Sequence, residues 1–338
     1  MAQSLASICT SLDPNWNKSV PDRIIRHLSF DSRRIVEPEH TLFFALGGQR
    51  DGHDFLDEAH QAGVRAFVVK EYRALPPLPE STIISCEEPL EALHRLAGMH
   101  RDHLNFPILG ITGSNGKTVV KEWLYHLLHR TMNIGRSPKS YNSQIGLPLS
   151  VWQLEKDLDL GIIEAGISKT GEMQHLASIL HPEHGLFTSI GDAHQEGFLS
   201  KADKIQEKLR LFHQTQLLVY PHDDRALRTE IQSWSKQRAI RLISWGQEAD
   251  SDLQIIRKET EEGMLLEGPD FSIEVPFKDF ASLDNACSCI AYLKAIALNP
   301  QDFADAFHTL PAIDMRMQLL SGRFNSRIIN DAYSADLS

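Results

Sequence analysis

Residues Gly110–Trp123 read "GITGSNGKTVVKEW", and the fold and chemistry of the chain turn on whether this is a phosphate-binding loop. It lies between a strand-like run, "FPILGIT", and an amphipathic run, "KTVVKEWLYHLLHR", with Val120, Trp123, Leu124, Leu127 and Leu128 on one helical side. Gly113 and Gly116 permit backbone angles and close approaches that a side chain would block, which leaves amides free to point inward. The helix beginning near Lys117 adds unsatisfied N–H groups and a positive end. Lys117 can reach terminal phosphates and Thr118 can offer a hydroxyl to Mg²⁺. The pattern departs from the usual phosphate-loop consensus, because the position five before Gly116 is Ile111 and not glycine. A GxxGK[ST] string arises by chance in roughly one chain of this length in a hundred, so the strand–loop–helix setting favours nucleotide binding over a plain glycine turn.

Outward from the loop, apolar strands alternate with amphipathic helices through "DLGIIEAG", "GEMQHLASILH", "HGLFTSIG", "SKADKIQEKLRLFHQ", "TQLLVYP", "DRALRTEIQSW" and "AIRLISWG". This alternation predicts an α/β fold with a mostly parallel sheet covered on both faces, whose ligands sit beyond the carboxyl ends of the strands. Before it, residues 1–104 form a small α/β unit, with turn-rich sequence at "FDSRRIVEPEHTLFFALGGQRDGHDFL", a helix at "DFLDEAHQAG" and a strand at "RAFVVK". Residues 105–314 form the central unit, including a small antiparallel addition over 251–277. Residues 315–338 begin a further domain. One strand-like run there, "SRIIND", has no following partner, so the chain is expected to be a fragment lacking most of that last domain.

The bulk properties exclude several classes. At 338 residues, 42% hydrophobic and with 15 Phe, the chain is expected to fold into more than one globular domain. A formal charge of −11 argues against a nucleic-acid partner, which needs a basic footprint. Cys9, Cys86, Cys287 and Cys289 form no CxxC pair, as suits a reducing cytoplasm. No stretch reaches the roughly 18 continuous apolar residues of a membrane span.

Other residues acquire candidate roles from their strand ends. Glu164 follows "DLGII", on the same sheet edge as the phosphate loop, and is either a Mg²⁺ ligand or a surface carboxylate. His194, in "TSIGDAHQEGF", could offer an imidazole nitrogen to a metal or be one of 16 ordinary histidines. Lys208 flanks an apolar stripe and reads physically as a solvated helix residue, with Lys204 an equal candidate for any special role.

The stretches "FDSRRI", "TLFFALGGQRDGHDF", "GITGSNGKTVVKEW", "YNSQIGLPLSV", "IIEAGISKTGEM", "TSIGDAHQEGF", "DNACSCIAYL" and "NDAY", in that order over nearly the whole chain, resemble the Mur ligase family. These are the ATP-dependent amide-bond-forming enzymes of peptidoglycan synthesis. The resemblance implies a cytoplasmic bacterial ligase with three domains: a UDP-MurNAc-peptide-binding domain, a central ATP-binding domain and a Rossmann-like ligase domain. The reaction it implies is ligation of D-alanyl-D-alanine to UDP-N-acetylmuramoyl-tripeptide through an acyl phosphate, using ATP and two Mg²⁺. The implied roles are Lys117 on the terminal phosphates and Thr118, Glu164 and His194 on metal. Lys208 is implied as the lysine modified to a carbamate (N6-carboxylysine), reversing its reading as solvated. Gly113, Ser114, Asn115 and Gly116 cradle phosphate, Asn285 lies beside adenine, and Arg316 and Asp331 lie near phosphate and ribose. Ser32, Arg33, Asp51 and His53 are implied to grip the nucleotide sugar, and Asn142 to face the muramoyl peptide. "GSNGKTVVKEW" and "QEKLRLF" particularly resemble ligases fused to an alanine racemase, which a longer parent chain would carry. Without the third domain these residues alone are not expected to complete the ligation. Rival readings are a folylpolyglutamate synthase-like ligase, which "DSRRI" and "DGHDF" disfavour, and a noncatalytic nucleotide sensor.

Overall fold

The computed structural model describes residues 3–48, 50–191, 195–313, 318–321 and 326–330. They divide into two compact units. The first comprises residues 1–106 with 143–157 and 178–180; the second comprises 107–142, 158–177 and 181–338.

The first unit is built on four parallel strands in the order His27–Ser29, Thr41–Phe44, Ala66–Lys70 and Thr82–Cys86. Side chains of a strand alternate between faces, and here both faces are covered. Leu42, Phe44, Ala66, Val68 and Ile84 pack with the Leu5–Leu12 and Pro89–Arg101 helices, while Phe43, Phe67 and Val69 pack with Leu56 and Ala59 on the other side. Thr41–Phe44 is wholly buried, although the surrounding sequence reads as turns. A strand of four residues flanked by Pro, Gly and Asp is too short to declare itself by periodicity. The Gly146–Trp152 helix also joins this unit, with Leu149 and Trp152 in its core and the Trp152 Nε1–H donating to the Arg26 carbonyl at 2.8 Å.

His100 is sealed in this core. Its ring lies 5.1 Å from that of Trp152, and Nε2 is 3.0 Å from the Leu154 carbonyl, so Nε2 carries the hydrogen. Nδ1 has no partner among the described residues, and a second proton there would find no acceptor. Burial pulls the pKa of His100 from 6.5 down to about 4. Above pH 6.5 the neutral ring costs nothing; as pH falls from 6.5 towards 4 the unfolded chain takes up a proton that the folded one refuses. The stability lost over that window should reach up to about 3 kcal/mol. Urea unfolding of the wild type and His100→Phe across pH 4–7 is expected to show a shallower fall for the variant, and parallel profiles would contradict this.

The second unit carries seven parallel strands. Their order is Leu253–Gln254, Arg241–Gly246, Leu217–Pro221, His184–Phe187, Ile108–Thr112, Leu160–Glu164 and Ile134–Arg136. The alternation of strands and helices read from the sequence is thus realised as a parallel sheet. Val120, Trp123, Leu124, Leu127 and Leu128 of the Lys117–Leu128 helix are all buried, joined by Ala286, Cys289, Ile290 and Leu293 of the Phe280–Ala295 helix. The segment "DLQIIRK" splits. Leu253–Gln254 extends the parallel sheet, while Ile256–Glu259 pairs antiparallel with Met264–Gly268, and that in turn with Phe271–Val275. Among the described residues, no helix is long and apolar enough to cross a membrane.

Candidate active site

Strand register sets the site in the second unit. Ile108–Thr112 lies between Leu160–Glu164 and His184–Phe187, with Ile111 opposite Glu164 and Thr112 opposite Phe187. Glu164 and the first residue of the phosphate loop therefore end on one rim of the sheet, where ligands of open α/β sheets collect.

The loop from Gly113 to Gly116 has the left-handed angles that its glycines allow, with φ of 147° at Gly113 and 85° at Gly116. A Cβ at Gly113 would lie 2.0 Å from Thr188 Oγ1, and one at Gly116 would lie 2.2 Å from Asn285 Oδ1. Both positions are closed to side chains by backbone angle and by space, and the second shows that Asn285 stands against the loop. The next strand end supports the loop from behind: the Ser114 N–H donates to the Ser189 carbonyl at 2.8 Å, and Thr188 Oγ1 donates to the Asn115 carbonyl at 2.5 Å. Lys117 folds back over the loop, its ammonium 2.8 Å from the carbonyls of both Gly113 and Ser114. Those backbone bonds hold the ammonium where a terminal phosphate would draw it away.

Glu164 is fully buried and richly bonded. Thr118 Oγ1 donates to its Oε2 at 3.0 Å, Asn142 Nδ2 donates to the same oxygen at 3.2 Å, and Lys121 Nζ lies 3.0 Å from Oε1. A hydroxyl and a carboxylate in contact are hard oxygen donors, the set that Mg²⁺ prefers. The Thr118 hydroxyl and the Glu164 carboxylate are thus a donor pair able to hold a magnesium ion. Asn142 is locked in place by its own carbonyl, which accepts from the Gly166 N–H at 2.8 Å.

Lys208 overturns its physical reading as a solvated residue. Its side chain is buried and its ammonium lies 3.0 Å from the Gly113 carbonyl that Lys117 also uses. Burial, and then the charges of Lys117 and Lys204, hold its pKa well below the ordinary lysine value. Lys204 is buried too, but bonds elsewhere, at 2.6 Å from the Gly191 carbonyl. His194, Arg316 and Asp331 lie outside the described residues.

Sequence reasoning missed Lys121. It lies four residues after Lys117 and three after Thr118, hence on their helical face, and that spacing was the available signal.

In the first unit, Ser32 and Arg33 line a cavity of about 250 Å³ together with Phe30, Gly47, Gly48 and Arg50. Ser32 Oγ donates to Glu58 Oε2 at 2.9 Å, and Arg33 grips Asp31 through two bonds of 2.8 and 2.9 Å. Asp51 and His53 lie next to this cavity in sequence and do not line it. His53 Nε2 accepts from the Lys70 N–H at 3.0 Å, so Nδ1 carries the hydrogen and donates to Asp51 Oδ1 at 2.6 Å. Burial lowers the His53 pKa, consistent with that neutral ring. Arg73 also pairs with Asp51. Between Asp51 and His53, Gly52 lines the cavity, and a Cβ there would lie 2.6 Å from the Leu46 nitrogen.

Residues 111–293 match the family model described as the Mur ligase middle domain. The UDP-N-acetylmuramoyl-tripeptide--D-alanyl-D-alanine ligase of Bacillus subtilis (strain 168) is 28% identical over 326 residues, covering 94% of this chain and 69% of the relative. MurF from Acinetobacter baumannii superposes with a TM-score of 0.85 at 20% identity, over 99% of this chain and 74% of that one. The MurF ligase from Thermotoga maritima in complex with ADP gives a TM-score of 0.78 at 24% identity, over 92% of this chain and 71% of the other.

Proposed function

The chain belongs to the Mur ligase family, and from that premise we propose that it forms the nucleotide-sugar-binding and ATP-binding parts of a bacterial, cytoplasmic ligase. That enzyme joins D-alanyl-D-alanine to the terminal carboxylate of UDP-N-acetylmuramoyl-tripeptide. The observation that carries the reading is the gathering of Lys117, Thr118, Glu164 and Lys208 around one phosphate loop.

The substrate carboxylate attacks the γ-phosphorus of ATP, the bond to the β–γ bridging oxygen breaks, and ADP departs. The amine of D-alanyl-D-alanine then adds to the acyl phosphate; the tetrahedral adduct loses a proton and expels inorganic phosphate, leaving an amide. Carboxylate and triphosphate repel, so the first step needs cationic charge between them. Lys117 supplies one such charge by exchanging loop carbonyls for phosphate oxygens. Mg²⁺, held by Thr118 and Glu164, would draw charge from the phosphoryl oxygens. No serine or cysteine nucleophile is required, because the covalent intermediate forms on the substrate.

The remaining assignments rest on the family resemblance. His194 is a further metal ligand, Asn285 holds adenine, and Arg316 and Asp331 serve phosphate and ribose. Ser32, Arg33, Asp51 and His53 serve the nucleotide sugar, and Asn142 the muramoyl peptide. Lys208 is proposed as an N6-carboxylysine that helps hold a second Mg²⁺. Its depressed pKa supports this, since only the neutral amine adds to CO₂, releasing a proton as the carbamate forms. A fused alanine racemase in a longer parent chain remains part of the proposal, supported by the likeness of "GSNGKTVVKEW" and "QEKLRLF".

The test is mass spectrometry of the full-length protein's products with ATP, D-alanyl-D-alanine and the tripeptide nucleotide carrying either lysine or diaminopimelate at its third position. ATP-dependent formation of a pentapeptide nucleotide is expected. ATP binding with neither acceptor ligated would refute the reading.

A further inference from the structure

Lys121 is a lysine with no exposed side-chain surface, paired with an equally sealed Glu164 at 3.0 Å. Its ammonium also reaches the Ser137 carbonyl at 2.7 Å, the Lys139 carbonyl, and Glu122 Oε1 at 3.1 Å. Lys139 is held at φ 48°, a left-handed conformation for a residue with a side chain. The turn so fixed delivers Ser140 Oγ to Thr118 Oγ1 at 3.1 Å and Asn142 Nδ2 to Glu164. Lys121 therefore joins the phosphate-loop helix, this turn and the Glu164 strand end through one charged atom.

A buried ion pair is weak as a source of stability, because desolvating both charges offsets their attraction. Its consequence here is electrostatic. Thr118 is bonded to the carboxylate of Glu164, and Lys121 already matches that charge. Glu122 is shared with Arg136 at 2.9 Å. Lys117 and Lys204 also stand beside the loop. Among the described residues, Glu164 therefore offers a divalent ion a charge that Lys121 already balances.

We propose that Lys121 is the resident counter-cation of Glu164 and makes metal binding conditional on nucleotide. The nucleotide-free site rejects a divalent ion, and the ion binds only when phosphate oxygens bring the negative charge that outweighs Lys121. This rests on the proposed reading of Glu164 as a metal ligand. Lys121 touches neither substrate nor reacting atoms in this scheme; it is a positioning residue that also sets the charge of the site.

The test is titration of the full-length protein with Mn²⁺, followed by the electron paramagnetic resonance of the free ion, with and without ADP. Without nucleotide, Lys121→Met is expected to bind Mn²⁺ about tenfold or more tightly than the wild type, through loss of a cation a few ångströms from the ion. Lys121→Gln, which keeps a donor for the Ser137 carbonyl, should shift the same way and guards against misfolding of the methionine variant. Adding Glu164→Gln to Lys121→Met should return binding to the wild-type level. A merely structural lysine would not create a metal site on removal. Nucleotide-free binding no tighter in both Lys121 variants would overturn the proposal, and so would wild-type binding as tight without ADP as with it. The two readings separate through Glu164→Gln with ADP present. Unchanged Mn²⁺ affinity there removes Glu164 as a ligand and the proposal with it, whereas weakened affinity beside unaltered Lys121 variants removes the proposal alone.

Discussion

Replacing Lys117 by alanine in the full-length protein is expected to lower turnover roughly a thousandfold or more while leaving the fold intact. The side chain bonds the carbonyls of Gly113 and Ser114, within its own loop. The loop is braced independently, by Thr188 and Ser189 on the neighbouring strand end. Removing the ammonium should thus cost little secondary structure. What it removes is a cation that can follow the γ-phosphoryl group as charge shifts from the attacking carboxylate to ADP. Steady-state kinetics beside far-ultraviolet circular dichroism checks this. Near-normal turnover in a folded variant would reject the role assigned to Lys117.

The second large effect is expected at Lys208, where activity and stability should move apart. Lys208→Met is expected to lose roughly a hundredfold or more in turnover, because an oxygen-donating carbamate cannot form on methionine. Its melting temperature should not fall. At neutral pH the unfolded chain carries a protonated Lys208, while the folded protein holds this amine buried beside Lys117 and Lys204, which disfavour its charge. The depressed pKa therefore opposes folding at every pH below the ordinary lysine value of 10.5, most fully below the folded pKa, and methionine removes that opposition. Thermal melts and turnover of the same preparation, with and without bicarbonate, measure both effects. Full activity in the variant would sink the carbamate, and a sharply lowered melting temperature would contradict the electrostatic account.

Lys208 also shows where the sequence stops being readable. A lysine beside Leu209, Leu211 and Phe212 should keep its charge in water by local rules. It is buried instead because it meets a carbonyl 95 residues earlier in the chain. The resemblance pointed to Lys208; periodicity and charge patterning could not. Lys121 was hidden for a related reason, since its partner Glu164 lies 43 residues away on another strand. By contrast, the helix face of Val120, Trp123, Leu124, Leu127 and Leu128 was legible because a helical repeat against a sheet is a local pattern with one packing solution. The strand ends at Thr112 and Glu164 were legible too, since short apolar runs between helices leave a parallel sheet as the way to bury them. Thr41–Phe44 and Gly146–Trp152 escaped notice, the first from shortness and the second because a seven-residue helix opening on Gly146 and Pro148 gives little periodic signal. Proline is well tolerated in a first helical turn, where its missing N–H needs no partner.

The central claim is that this phosphate loop and its neighbours activate a substrate carboxylate by phosphorylation. It is tested most directly by labelling the terminal carboxylate of the tripeptide nucleotide with heavy oxygen and running the ligation with full-length protein, ATP and D-alanyl-D-alanine. Acyl-phosphate chemistry predicts that the inorganic phosphate released carries one labelled oxygen from the substrate, matching the amide formed. Phosphate free of label beside the same quantity of amide would contradict it.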